Sequence, residues 1–519
     1  MKTSALMAQA TAIALALASS LAWSQVLPAR APPAAEPPPA LNGPVVKTRQ
    51  GKVQGYVAND VTVFKGLPFA APPVGDLRWR EPKAPGKWST VRAANAFGAT
   101  CAQAEDCLYL NIYEPAGAKA GARLPVMVWI HGGAFIFGSG SAYDGTQFAK
   151  QGVIVVTVNY RLGRAGWFAH PALTEENARG PLGNHGLMDQ IAALKWVQDN
   201  IPAFGGDTHN VTIFGESAGA ISINYLMLAP QARGLYQKAI AESGFGRLGA
   251  LPLHTTDGSR SAEKAGAAFA EKAGIQGSDK AAAKALRALS WEDLTRNVGA
   301  IGAADQILPM ADGKLVTGSA ADGFAKAAEA RVPYLLGGNS DEASLTRRGT
   351  NGTERLAAIS ERREEFLGAF DPGNAGDADR TIARLITDQT ISEPDRALAR
   401  LHSQHGLPTY VYHFSYTPVA QRATMFGLPH GGEIGYVFNT PRAGASFDAE
   451  GQAISAAANH YWVAFAKTGD PGSAGGPQWP KFDSGDEALL EFGAGGVPAV
   501  QKHFHKTRLD WVEQGVAKQ

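Results

Sequence analysis

The pentapeptide G-E-S-A-G at residues 215–219 restricts the possible folds of this chain more than any other segment. It fits the pattern G-x-S-x-G, and the apolar residues 211–214 before it are typical of a buried strand. Residues 220–226 after it are typical of the start of a helix. A strand, a tight turn and a helix in this order predict a nucleophile elbow, with Ser217 at a helix N-terminus that favours a developing oxyanion.

Apolar runs and helical patterns alternate along the rest of the chain. Strands buried on both faces and separated by helices predict an α/β fold with a mostly parallel central sheet and helices on both faces. The buried strands are predicted at residues 124–130, 153–158, 211–214, 334–337 and 410–414, after short antiparallel strands at 45–69. The clearest helices are predicted at residues 189–200 and 454–467, and helical cap insertions at 258–298 and 340–400.

The N-terminal residues have the pattern of an export signal. Lys2 is followed by an apolar run at residues 10–22, and Ala22 and Ser24 are small residues of the kind that a signal peptidase reads. We expect residues 1–24 to be a cleaved signal peptide, which predicts a secreted or periplasmic protein without a stable membrane span after cleavage. An uncleaved membrane anchor is the alternative, although the run is short for a span.

The remaining chain is predicted to form one catalytic domain. Residues 25–44 are rich in Pro and Ala and are expected to be a stiff tether, followed by the domain at residues 45–515. The formal net charge of +1 argues against nucleic acid as a partner. The oligomeric state is left open by the sequence.

The chain has two cysteines, Cys101 and Cys107. Export would permit a disulfide between them, which would contribute about 2 kcal/mol because the loop is short. Two free thiols are the alternative.

A nucleophilic serine needs a histidine base and an acid that orients it, in the chain order Ser, Asp/Glu, His. His430 lies on a Pro/Gly loop, from which a side chain can project into a site. Asp341 and Glu342 are adjacent candidates for the acid, and the residues alone do not decide between them. No metal or other cofactor is expected, since nothing near the pair His503 and His505 suggests a metal site.

Several ordered blocks resemble the type-B carboxylesterases, the branch of the α/β-hydrolase fold that includes the cholinesterases and bacterial para-nitrobenzyl esterases. The blocks span essentially all of residues 45–515. They read F-K-G-L-P-F-A at 64–70, P-P-V-G-D-L-R-W at 72–79, E-D-C-L-Y-L-N at 105–111, H-G-G-A-F at 131–135, N-Y-R-L-G at 159–163, G-N-H-G-L-M-D-Q at 183–190 and F-G-G-D at 204–207.

The resemblance implies a catalytic triad of Ser217, Glu342 and His430, the last of which opens the block H-G-G-E-I. The family usually has Gly where this chain has Ala343, a mild departure. On this interpretation Asp341 is a solvated residue at a helix start.

The resemblance also implies supporting groups. Backbone N–H groups of Gly133, Ala134 and Ala218 would form the oxyanion hole, and Ser243 would stand behind the triad. The family's buried ion pairs correspond to Arg78 with Glu105 and Arg161 with Asp189.

The expected substrate is an uncharged, moderately apolar small-molecule ester. The loop at residues 102–106 lacks the aromatic residue with which cholinesterases bind a quaternary ammonium. The candidate pocket residues, each of which could instead be core, are Phe135, Phe137, Phe245, Phe426 and Leu428.

Two other kinds of function stay open. Some family members are binding proteins that have lost triad residues, and amides, lactones or thioesters could be cleaved by the same machinery. The sequence thus predicts an exported serine carboxylic-ester hydrolase.

Overall fold

The computed structural model describes residues 37–298, 307–346, 351–441 and 445–516. The predicted signal peptide and residues 25–36 of the predicted tether lie outside the described residues. Within the described ranges, no helix has both the length and the apolar character needed to span a bilayer.

Short antiparallel strands precede the longer strands of a central sheet. The strands are β1 (Val45–Lys47), β2 (Lys52–Gln54), β3 (Tyr56–Ala58), β4 (Val61–Pro68), β5 (Arg92–Ala93), β6 (Tyr109–Pro115), β7 (Leu124–Ile130), β8 (Ile154–Val158), β9 (Gly206–Glu216), β10 (Lys238–Glu242), β11 (Leu251–Pro252), β12 (Met310–Ala311), β13 (Tyr334–Asn339), β14 (Thr409–Phe414), β15 (Leu489–Phe492) and β16 (Ala499–Gln501).

Helices connect most of the later strands. They are α1 (Thr146–Ala149), α2 (Gly163–Gly166), α3 (Pro171–Glu176), α4 (His185–Asn200), α5 (Ala218–Leu228), α6 (Ala262–Lys272), α7 (Lys280–Arg287), α8 (Trp291–Thr295), α9 (Ala320–Ala325), α10 (Gly352–Ala358), α11 (Arg363–Phe370), α12 (Ala378–Thr387), α13 (Glu393–Gln404), α14 (Ile434–Val437), α15 (Ala449–Thr468) and α16 (Lys506–Val516).

The central sheet has 11 strands in the order β16-β15-β14-β13-β10-β9-β7-β8-β6-β4-β3. The strands from β8 to β15 in this order run parallel. Strands β3, β4 and β6 join β8 in antiparallel pairs, and β16 closes the other edge antiparallel to β15. The predicted mostly parallel α/β sheet is therefore confirmed.

Each central strand packs against helices on both faces. Successive side chains of a strand point to opposite faces, so that Ile213 lies in the core on one face and Phe214 in the core on the other. Buried residues of α4 and α5 share the first core, and those of α15 share the second. This arrangement explains why residues 211–214 are continuously apolar.

The predicted cap insertions are helical. Segment 258–298 forms α6, α7 and α8, and the described part of segment 340–400 forms α10 to α13 with a π-helix at Asp388–Ser392.

The predicted disulfide joins Cys101 and Cys107, whose Cα atoms are 5.0 Å apart. Asn159 fixes the same loop, because its Nδ2 donates to the Cys107 carbonyl (3.0 Å) and to the Ala99 carbonyl (3.1 Å). The loop is thereby held at the start of β6.

Both predicted ion pairs are present. Arg78 Nε and Glu105 Oε1 are 2.5 Å apart. The side chains of Arg161 and Asp189 are almost fully buried, and their paired contacts measure 2.7 Å (Nε–Oδ2) and 2.8 Å (Nη2–Oδ1). Asp189 Oδ2 also accepts from the Arg161 backbone N–H, so α4 is tied to the loop after β8.

We predict that Asp189→Ala lowers the free energy of unfolding by about 3–5 kcal/mol, because it leaves the Arg161 guanidinium buried without its counter-charge. The measurement is urea unfolding followed by circular dichroism. Asp199→Ala on the same helix is the matched control, since the Arg49–Asp199 pair is exposed and its loss should cost less than about 1 kcal/mol. Equal effects of the two changes would contradict the prediction.

Candidate active site

Ser217 stands on the predicted tight turn between β9 and α5, with φ at +56°. Its backbone N–H donates to the Glu242 carbonyl of the neighbouring strand (2.9 Å). A Cβ at Gly219 would lie 1.9 Å from the Ile130 carbonyl oxygen, and one at Gly215 would lie 2.4 Å from it. Only glycine therefore fits at either side of the serine, as the sequence pattern predicts.

Glu342 begins a 3₁₀ helix (Glu342–Leu345) after β13, and its carboxylate contacts the His430 ring. Glu342 Oε2 is 2.5 Å from His430 Nδ1. The other oxygen, Oε1, accepts from Ser243 Oγ (2.6 Å) and from the Asn339 backbone N–H (2.7 Å). The carboxylate is therefore fixed by two donors and can orient the imidazole.

The interpretation of Asp341 as a solvated residue is wrong. Asp341 is buried, and its backbone pairs with Pro429 in an isolated bridge. Its N–H donates to the Leu428 carbonyl (2.9 Å). This pairing joins the two loops that carry Glu342 and His430, which is why the residue is inside.

The second ring nitrogen of His430 faces a carboxylate. Nε2 lies 3.0 Å from Glu216 Oε1, and both side chains are almost fully buried. In the described part of the chain, Ser217 Oγ makes no hydrogen bond, so the predicted Ser217–His430 contact is not formed in this structure. Such contacts are often loose before substrate binds.

The charge of His430 depends on its neighbours. Burial disfavours the imidazolium, but the carboxylates of Glu216 and Glu342 outweigh burial and raise the pKa of His430 to about 9. The imidazole is therefore mostly protonated at neutral pH.

A loop after β7 presents backbone N–H groups beside the elbow. Gly133 and Ala134 both have positive φ, at +106° and +52°. The Gly133 carbonyl accepts from the N–H groups of Ile136 and Phe137 (2.9 and 3.1 Å). Among the described residues, nothing accepts from the N–H groups of Gly133, Ala134 or Ala218, so these donors are available to a ligand.

The loop lies directly against the elbow. A Cβ at Gly132 would be 2.6 Å from Glu216 Oε2 and 3.0 Å from Ser217 Cβ. His131 is buried, its ring stacks on Tyr160 (4.4 Å), and burial lowers the pKa of its imidazole to about 4. A neutral, fixed His131 therefore anchors the loop without adding charge to the site.

The model of the Carboxylesterase family matches residues 42–369 and 353–512. The chain belongs to the carboxylesterase family.

Similar curated proteins cover most of the chain. Fumonisin B1 esterase of Sphingopyxis macrogoltabida is 37% identical over 92% of this chain and 91% of its own. Para-nitrobenzyl esterase of Bacillus subtilis is 35% identical over 84% of this chain and 92% of its own.

Among solved structures, the carboxylesterase EST55 of Geobacillus stearothermophilus at pH 6.2 matches with a TM-score of 0.78 and 34% identity, covering 90% of this chain and 99% of that one. The protein is thus a carboxylic-ester hydrolase with the α/β-hydrolase fold.

The predicted pocket residues of this carboxylesterase lie in different surroundings. The Phe245 ring packs edge-on to His430 with centroids 6.0 Å apart, and Phe137 is exposed on the loop after β7. Phe135 is buried against Trp167. The side chain of Leu428 lies in the core that contains α15, and the ring of Phe426 packs under Arg380.

Sequence reasoning missed three buried glutamates near His430 of this carboxylesterase. Glu216 contacts His430, and Glu242 and Glu433 are fully buried close to it. Each lies in the same motif as a predicted site residue, namely Ser217, Ser243 or His430. Each glutamate is a charged residue inside an apolar or glycine-rich block of sequence. A charged residue in such a block is rarely buried without a partner, so this pattern could have indicated a buried interaction.

Proposed function

We propose that this carboxylesterase is an exported serine hydrolase that cleaves uncharged, moderately apolar esters through an acyl-enzyme on Ser217. The observation that carries the proposal is the convergence of three features. They are an elbow serine, a histidine bound to a fixed glutamate, and three unused backbone N–H groups next to the serine.

In the first half-reaction, Ser217 Oγ attacks the carbonyl carbon of the ester. His430 Nε2 takes the hydroxyl proton, after the ring turns from Glu216 toward Ser217. The bond between the carbonyl carbon and the alcohol oxygen then breaks, and the alcohol leaves with the proton from His430.

In the second half-reaction, a water attacks the acyl carbon and gives a proton to His430. The acyl–Oγ bond breaks, Ser217 regains its proton, and the carboxylic acid leaves. Throughout both halves, Glu342 holds Nδ1 and stabilises the imidazolium, while Ser243 and the Asn339 N–H hold Glu342.

The oxyanion of each tetrahedral intermediate would be held by the N–H groups of Gly133, Ala134 and Ala218. Two of them lie on the strained loop with positive φ, and the third begins α5, whose dipole adds a partial positive charge. Each such donor contributes about 3 kcal/mol to transition-state stabilisation.

The preference for uncharged esters rests on the lining of the site. Phe245 beside His430 and Phe137 on the loop are apolar, which suits an uncharged acyl or alcohol group. The carboxylate of Glu216 would repel an anionic group. One relative is named for para-nitrobenzyl esters, which supports the same class of substrate.

We expect the purified protein to hydrolyse para-nitrophenyl esters from acetate to laurate, and Ser217→Ala to lose at least about 10⁴-fold in kcat. The dependence of kcat/KM on the length of the acyl chain reports the size of the acyl pocket. Fluorophosphonate labelling of Ser217 checks the nucleophile independently. If no ester turns over and the reagent does not label Ser217, the catalytic proposal fails.

We predict that kcat/KM rises with pH by about tenfold per unit until about pH 9, because His430 must be neutral to accept the Ser217 proton and its pKa is raised to about 9. Glu216→Gln removes a negative charge that stabilises the imidazolium. It should therefore move this acid limb to lower pH, by about one to three units.

Glu114→Gln is the matched control. Glu114 is also a buried glutamate, and burial alone raises its pKa to about 8. An acid limb that does not move in Glu216→Gln, or that moves equally in Glu114→Gln, would contradict the electrostatic explanation.

Export is proposed from the sequence of residues 1–24 and is supported by the disulfide, which forms in oxidising compartments. In a bacterial host, the full chain should accumulate outside the cytoplasm with an N-terminus at Gln25, as read by N-terminal sequencing. A variant without residues 2–24 should stay inside. A membrane-bound product that begins at Met1 would contradict cleavage.

A further inference from the structure

Two buried glutamates behind the His430 ring lack half of their hydrogen-bond partners. Glu242 Oε1 accepts from the Trp462 indole N–H (2.8 Å), while Glu242 Oε2 has no partner among the described residues. Glu433 Oε2 accepts from Asn339 Nδ2, and within the same described ranges Glu433 Oε1 has none. Both side chains are fully buried.

The sheet places these groups together with Glu216. Glu216 and Glu242 are register partners in the parallel pair of β9 and β10, so their side chains leave the sheet side by side on one face. That face packs against α15, which contributes Trp462. Glu433 stands three residues after His430, at the start of α14, and its carboxylate accepts from Asn339 Nδ2. Asn339 lies on the same face of β13 as Gly337, the register partner of Glu242, so Glu433 reaches the face that carries Glu242.

Three separate negative charges in this space would be very unfavourable, because a buried carboxylate needs a counter-charge or several donors. His430 is the cation that acts on Glu433. The remaining groups that act on the pair are carboxylates or neutral groups, namely Glu216, Glu342, Asn339 and Trp462. Burial, followed by nearby carboxylates that include Glu242 and Glu433, raises the pKa of Tyr143 and Tyr412.

We propose that Glu242 and Glu433 share one proton behind the catalytic imidazole, and that Glu242 is a positioning residue that sets the charge next to His430. A proton on one carboxyl group would be donated to the free oxygen of the other, which satisfies both unpartnered atoms at once. The pair then carries one negative charge instead of two.

The directions in which the two pKa values are shifted agree with this sharing. Burial, then the charge of Glu433, raises the pKa of Glu242 well above its usual value. Burial, then the charges of Glu216 and Glu342, raises the pKa of Glu433 to about 8. Like-charged carboxyl groups at close range do not both ionise.

The inference rests on the proposed role of His430 as the base, and the first test uses that role. Glu242→Met keeps the volume but removes the proton partner. Below about pH 8 the isolated Glu433 then keeps its proton, so the negative charge of the pair disappears in the lower part of the acid limb, and kcat/KM at neutral pH should rise by about tenfold or more. Glu242→Gln keeps a donor and leaves Glu433 ionised, so it should restore the wild-type limb.

Two outcomes of this first test would overturn the proposal. If both variants move the limb equally, Glu242 is an independent charge. If neither moves the limb, Glu242 does not act on His430. Glu114→Gln again controls for the loss of a remote buried carboxyl group.

The second test needs no turnover and can be made in a Ser217→Ala background at neutral pH. Infrared difference spectra report the carbonyl stretch of protonated carboxyl groups. The band of the shared proton should be lost in Glu242→Gln and kept in Glu242→Met. A wild-type minus Glu242→Gln difference spectrum that lacks this band would contradict the sharing even if the protein hydrolysed no ester.

If Glu242→Gln does not fold, Glu433→Gln is the mirror variant, since it also leaves one carboxylate and one amide. It should lose the same infrared band, and retention of the band would overturn the proposal.

Discussion

The contact between the glycines of the elbow and the carbonyl of Ile130 is the constraint on which the site depends. It presses the start of α5 onto β7, with no space for a Cβ at Gly215 or Gly219. The chain must therefore turn through a positive φ at Ser217, which costs roughly 1–3 kcal/mol and is maintained only because the sheet holds both sides. The same proximity brings the Ala218 N–H next to the loop that carries Gly133.

Charge placement is the second constraint. Glu216, Glu242 and Glu433 are all buried near a single imidazole. A different segment of the chain positions each of them. The elbow motif places the first, the neighbouring strand places the second, and the loop of the histidine places the third. A hydrolase that keeps so many acids around its base must neutralise some of them, and proton sharing does this without an additional cation.

Much of this arrangement could be predicted from sequence. The elbow, the disulfide and the Arg161–Asp189 pair follow from local patterns or from the resemblance, and the structure contains them. The burial of Asp341 could not be foreseen, because it depends on pairing with Pro429, which is remote in the chain. The proximity of Glu216 and Glu242 could not be predicted for the same reason. It depends on the order and register of β9 and β10, which the sequence of one strand does not determine.

The position of the His430 ring between two carboxylates has two opposite effects on its proposed role as a base. Carboxylates at Nδ1 and beside Nε2 stabilise the imidazolium, which is the species that forms in the proposed mechanism when Ser217 loses its proton. The same charges reduce the fraction of neutral imidazole available to begin the reaction at neutral pH. Each carboxyl group that holds a proton weakens this effect, so the protonation of the buried acids shifts the pH at which the neutral imidazole becomes available.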